Sequence, residues 1–111
     1  MIEKIIRDYL VERLDVPVRL EVPENMPESL VVLEKTGGGM ENHIFDATFA
    51  IQSYGPTMLA AATLNEEIKS LMLYGPVPAE ITSVRLNSDY NFTDTSTKRY
   101  RYQAVYDIKH Y

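Results

Sequence analysis

At 111 residues, with 45% apolar and 24% charged residues, the chain reads as one ordinary globular domain over 1–111. It contains no cysteine, which excludes a disulfide framework and a thiolate metal site, and its net charge of −5 weighs against a surface built to grip nucleic acid. Its apolar runs fall far short of the ~20 residues that span a bilayer, and no signal peptide is expected.

In chain order, the first predicted element is a helix from Ile2 to Leu14. Ile2, Ile5, Ile6, Tyr9, Leu10 and Leu14 recur at three- and four-residue spacing and form one apolar stripe. Pro17 stops it, because the residue before a proline avoids helical angles. Val18 to Val22 alternates as a short strand, and Pro23 and Pro27 bracket a linker. Leu30 to Glu34 is apolar and rich in β-branched residues, as expected of a central strand. Gly37, Gly38 and Gly39 then read as a flexible turn and mobile loop, followed by a strand from His43 to Tyr54. A second helix is expected from Pro56 to Met72, with an apolar stripe and a run of small residues, Ala60 to Ala62, that lets it lie close on a sheet. Ile81 to Leu86 is a further strand, and Asn87 to Thr97 reads as a polar loop.

The last strand, Lys98 to His110, carries the most information. Tyr100, Tyr102, Ala104, Tyr106 and Ile108 fall on one face; Arg99, Arg101, Gln103, Asp107 and Lys109 fall on the other. At roughly 3.3 Å per residue it would run about 40 Å, well beyond the usual strand of ~5–6 residues. That excess predicts a hairpin reaching past its own domain to a partner, with Arg99, Tyr100, Arg101, Tyr102 and Tyr106 as candidate subunit-contact residues. The expected architecture is α+β: a mostly antiparallel sheet of about five strands with two helices on one face, in the order α-β-β-β-α-β-β.

Chemical motifs are sparse. His43 and His110 are the two histidines, neither beside a serine in a G-x-S-x-G context, so no catalytic residue is expected. Asp89, Asn91 and Asp94 have part of the spacing of a calcium loop, but the turn glycine is missing and Tyr100 stands in place of the bidentate glutamate. The triple glycine leads into a strand rather than a helix, unlike a phosphate cradle. The expectation is a non-enzymatic protein without metal or cofactor. The Lys98–Tyr102 segment interleaves basic and aromatic residues as single-strand binders do, which leaves a nucleic-acid binding module as the alternative.

Several segments carry a resemblance: Leu33 to Gly38, Ala50 to Tyr54, and above all Leu86-Asn87-Ser88-Asp89-Tyr90-Asn91-Phe92-Thr93-Asp94 followed by Lys98 to Ala104. The chain resembles a family of small proteins encoded among the head–tail joining and tail genes of long-tailed phages and prophages of Gram-positive bacteria. Its element order is also similar to that of tail terminator and tail completion proteins. The resemblance implies a structural protein of the virion tail or neck, made in the host bacterial cytoplasm. Its partners would be further copies of itself in a hexameric ring, the major tail tube protein and a head-closure or neck protein. DNA would be passing cargo only, and no membrane is implied.

Overall fold

A computed structural model describes residues 1–94, 96–97 and 99–111. The order is α1 (Ile2–Arg13), β1 (Val18–Arg19), β2 (Leu30–Glu41), β3 (Ile44–Gly55), α2 (Met58–Tyr74), β4 (Ile81–Asn91) and β5 (Tyr100–His110). The strands form one five-stranded sheet in the order β1-β2-β3-β5-β4. Only the short β1–β2 pairing is parallel; β2–β3, β3–β5 and β5–β4 are antiparallel. This is the α+β architecture expected from the residue patterns. Among the described residues, no helix is long and apolar enough to cross a membrane.

Both helices cover the same face of the sheet. Ile2, Ile6, Tyr9 and Leu10 of α1 and Leu64, Ile68 and Met72 of α2 form one cluster with alternate residues of the strands: Val31 and Leu33, Ala47, Phe49 and Ile51, and Ala104, Tyr106 and Ile108. Each element therefore contributes the stripe that its own period puts on one side. Thr57 caps α2, its hydroxyl accepting from the Ala60 amide at 3.1 Å. The helix starts so close to the end of β3 that a Cβ at Gly55 would lie 2.6 Å from the Ala61 nitrogen. Tyr9 ties the two helices together, its hydroxyl donating to the Leu71 carbonyl at 2.6 Å. A smaller cluster of Leu30, Val32 and Tyr54, with Met26 packed against it, covers one end of the opposite face.

The structure corrects four expectations. The last strand does not outgrow its fold: β5 lies inside the sheet and is paired along its whole length, with β3 from Phe45↔His110 to Gly55↔Tyr100 and with β4 from Ile81↔His110 to Asn91↔Tyr102. The triple glycine is not a mobile loop. Gly37, Gly38 and Gly39 sit within β2, opposite Thr48, Ala47 and Asp46. The hairpin turns instead at Asn42 and His43, both at positive φ (53° and 66°), the backbone of a two-residue type I′ turn. The segment after Asn87 is not all loop, because β4 continues to Asn91 past an irregularity between Leu86 and Ser88. β1 stops at Arg19, and the segment beyond it, with Pro23 and Pro27 unable to donate to a ladder, bends away to place Met26 on the second face.

Candidate functional site

The side of the sheet that the helices leave open is a polar ladder across β3, β5 and β4. At one end the Arg101 guanidinium lies over the Phe92 ring, 4.3 Å from its centroid. Its Nε donates to the Phe92 carbonyl at 2.6 Å and its Nη1 to the Tyr54 hydroxyl at 2.9 Å. In the middle, Gln52 Nε2 donates to Gln103 Oε1 at 2.9 Å, and Gln103 in turn donates to the Tyr90 hydroxyl. Further along, Asp107 accepts from Thr48 Oγ1 at 3.3 Å and from Asn87 Nδ2 at 3.0 Å. The Asp46–Lys109 pair, at 3.4 Å, closes the row. These side chains satisfy one another across three strands, as cross-strand pairs on an antiparallel sheet do. Their joint effect is to fix the sheet's register rather than to present a reactive group.

The candidate contact residues of the last strand separate. Tyr106 is wholly buried in the core, so it cannot touch a neighbouring copy and is withdrawn from that role. The alternation that singled it out marks the face turned to the helices. Its hydroxyl has no hydrogen-bond partner among the described residues, and burial pushes its pKa well up. Arg101 is held by Phe92 and Tyr54 as described. Arg99 is exposed and forms an isolated bridge with Asp94, while Tyr100 and Tyr102 are half-buried. Lys98 lies outside the described residues. The basic and aromatic side chains of this segment thus point to different sides, and one of its two described arginines already has internal partners.

Behind the ladder, α2 is pinned to β4 by charge. Asp89 accepts from Asn65 Nδ2 at 2.7 Å and from Lys69 Nζ at 2.5 Å, and Lys69 also reaches Glu66 at 2.6 Å. The hydrogen bond to Asp89, then that to Glu66, raises the Lys69 pKa. Asp89 therefore serves the helix–sheet joint, and Asp94 accepts from the backbone and hydroxyl of Ser96. The two do not form a shared cation loop. Among the described residues no cluster of three or more histidines, cysteines or carboxylates is placed to hold a metal ion. His110 stacks on Phe45 with centroids 5.4 Å apart, and His43 occupies the hairpin turn.

What the sequence did not reveal is the pair of open sheet edges. β1 pairs only with Val31 and Val32, so β2 is open on its outer side from Leu33 to Glu41. Among the described residues, β4 has β5 on one side and no strand on the other. The open part of β2 is hidden from pattern reading by its glycines, and the second half of β4 by its Asn, Ser and Asp residues, which are poor strand formers. Neither the family models nor the curated proteins compared with the chain give a match.

Proposed function

We propose that this chain is a structural subunit of a phage tail or neck: a tail terminator or tail completion protein that closes into a ring on the end of the tail tube. The ring, hexameric by the resemblance, would stop tube growth and offer a surface to the neck. Its partners would be copies of itself, the tube protein and a head-closure protein, with DNA passing through the lumen unread. The observation that carries the proposal is the architecture. A one-sided α+β sheet in the order that the resemblance implies is open at both of its lateral edges, and two unlike edges on opposite sides of a subunit are what a heterologous, ring-closing contact uses. The specific segments Leu86–Asp94 and Arg99–Ala104 fall together on the β4–β5 side, so the resemblance is concentrated at one flank of the sheet.

The test is electron microscopy of particles assembled without this protein. Tails of uncontrolled length are expected for a terminator. Finished tails lying beside unjoined heads would move the protein to the neck, and normal virions would overturn the proposal. The nucleic-acid alternative is tested by anisotropy titration of labelled oligonucleotides at low salt, where its binding would be salt-sensitive.

A further inference from the structure

We infer that β4 of one copy adds to the open half of β2 in the next, antiparallel, with Ser83–Arg85 laid beside Gly37–Gly39. The inference rests on the ring reading above and names the contact that would close it.

Strand direction is the first support. In the sheet, β2 and β5 run one way, and β3 and β4 run the other. A second copy placed head-to-tail in the same sheet sense therefore brings its β4 against β2 antiparallel, the better hydrogen-bonded arrangement. Register is the second. Ser83, Lys109, Asp46 and Gly39 stand in one row across the sheet, and Arg85, Asp107, Thr48 and Gly37 stand in another. Within the regular stretch of β4 between its two irregularities, Ser83–Arg85 is thus level with Gly39–Gly37, the start of the regular stretch of β2 after its own irregularity at Lys35/Gly37. The two open edges match in height without a shift.

The glycines are the third and strongest support. Gly37 and Gly39 point to the helix-free face, in line with Thr48 and Asp46. Neither has a positive φ. A Cβ at Gly39 would meet nothing within 4 Å, and one at Gly37 would meet only the Thr48 side chain at 3.9 Å, an ordinary contact. The subunit's own fold therefore has no need of glycine at either position, and glycine inside a strand weakens it. A neighbour's close approach supplies the missing reason. Charge is the fourth. Arg85 faces the same side, is exposed, and makes no ion pair among the described residues. On that face Glu34 and Glu41 flank the glycines, exposed and equally without an ion pair. In the joined sheet the Arg85 side chain crosses the bare glycine window between two carboxylates.

The cysteine-free chain makes the contact easy to trap. Glu34 and Ser88 occupy one row across the sheet, so a Glu34→Cys/Ser88→Cys variant, concentrated and treated with a short thiol cross-linker, should give a ladder of dimers, trimers and higher species. Each single-cysteine variant should stay monomeric under the same treatment. Adding Gly39→Val should remove the ladder while leaving the urea midpoint of the subunit unchanged or higher. A lower midpoint would show that the fold itself needs the glycine and would overturn the inference. Efficient dimers from Glu34→Cys alone would replace it with a β2–β2 pairing. No ladder, in a protein whose loss still leaves tails of uncontrolled length, overturns the edge contact alone; no ladder together with normal virions overturns the ring reading as well.

Discussion

The two halves of β2 are one continuous strand with opposite fates. Leu30, Val31, Val32 and Leu33 are all buried: two face the helices, and two face the cluster that Met26 covers. From Glu34 to Glu41 every residue is exposed. The backbone pairs with β3 throughout, so the difference lies not in secondary structure but in what covers each half. α1, β1 and the Met26 segment all gather on the first half, and the irregularity at Lys35/Gly37 follows just after the change at Glu34. A strand that contributes half its length to the core and holds the other half out with a free edge gives a subunit both a rigid root and an unfinished border.

The largest expected effect tests that division directly. Leu33→Ala removes a wholly covered side chain and should cost about 2–5 kcal/mol in urea unfolding. Met40→Ala, seven positions along the same strand and 60% exposed, should stay within about 0.5 kcal/mol. Comparable losses would mean that the outer half is covered within the subunit, and the contrast between the halves would fail.

A second test concerns polar groups, which the covered and open faces treat in reverse. On the open face Gln52, Gln103 and Tyr90 find one another, and Asp107 finds Thr48 and Asn87. On the covered face the Tyr106 hydroxyl and Ser53 Oγ are buried without partners. Tyr106→Phe should therefore be neutral or stabilising by about 1 kcal/mol near pH 7. Its effect should grow in alkali. With its folded pKa raised by burial, Tyr106 keeps its proton above pH 10.0, where the unfolded chain loses it. The native state then binds more protons, and stability falls as pH rises past that value. Lys69, raised by Asp89 and Glu66 from 10.5, acts in the same direction: its contribution is complete below its unfolded pKa and is lost as pH climbs through the folded one. Tyr106→Phe should shift the alkaline unfolding midpoint upward, and an unchanged midpoint would place the whole alkaline loss on other groups.

Much of this fold was legible because its core faces repeat with a clean period. The alternation in β5 placed Ala104, Tyr106 and Ile108 on one side correctly, and the three- and four-residue spacing found both helices. The same alternation cannot say whether a tyrosine face meets a helix of its own chain or a neighbour, which is why Tyr106 was misplaced as a contact. The outer half of β2 escaped notice for a different reason. Its triple glycine mimics a turn, whereas the real turn at Asn42-His43 lacks the glycine that usually marks one. In β4, Asn87, Asp89 and Tyr90 read as loop residues, yet each bonds across the sheet or to α2: Asn87 to Asp107, Asp89 to Asn65 and Lys69, and Tyr90 to Gln103. Partners distant in sequence overrode local propensity there. The β2 side of the proposed contact lies in a misread stretch, whereas Ser83–Arg85 of β4 falls in the part of that strand whose alternation is plain.

The smallest expected effect returns to that turn and asks whether the halves of β2 are energetically separate. His43 holds a φ of 66°, a region where an ordinary side chain costs roughly 1–2 kcal/mol. His43→Gly removes that cost but adds freedom to the unfolded chain, so the net gain should be about 0.5–1 kcal/mol. The outer half is tied to the body through β3 and this turn, with no cover on its other side. The gain should therefore appear chiefly as slower hydrogen exchange at Gly37–Glu41, which opens by local unfolding, more than at Leu30–Leu33, which exchanges with the core. Equal slowing at both ends would instead show one cooperative strand, and the open border would then share the full rigidity of its root.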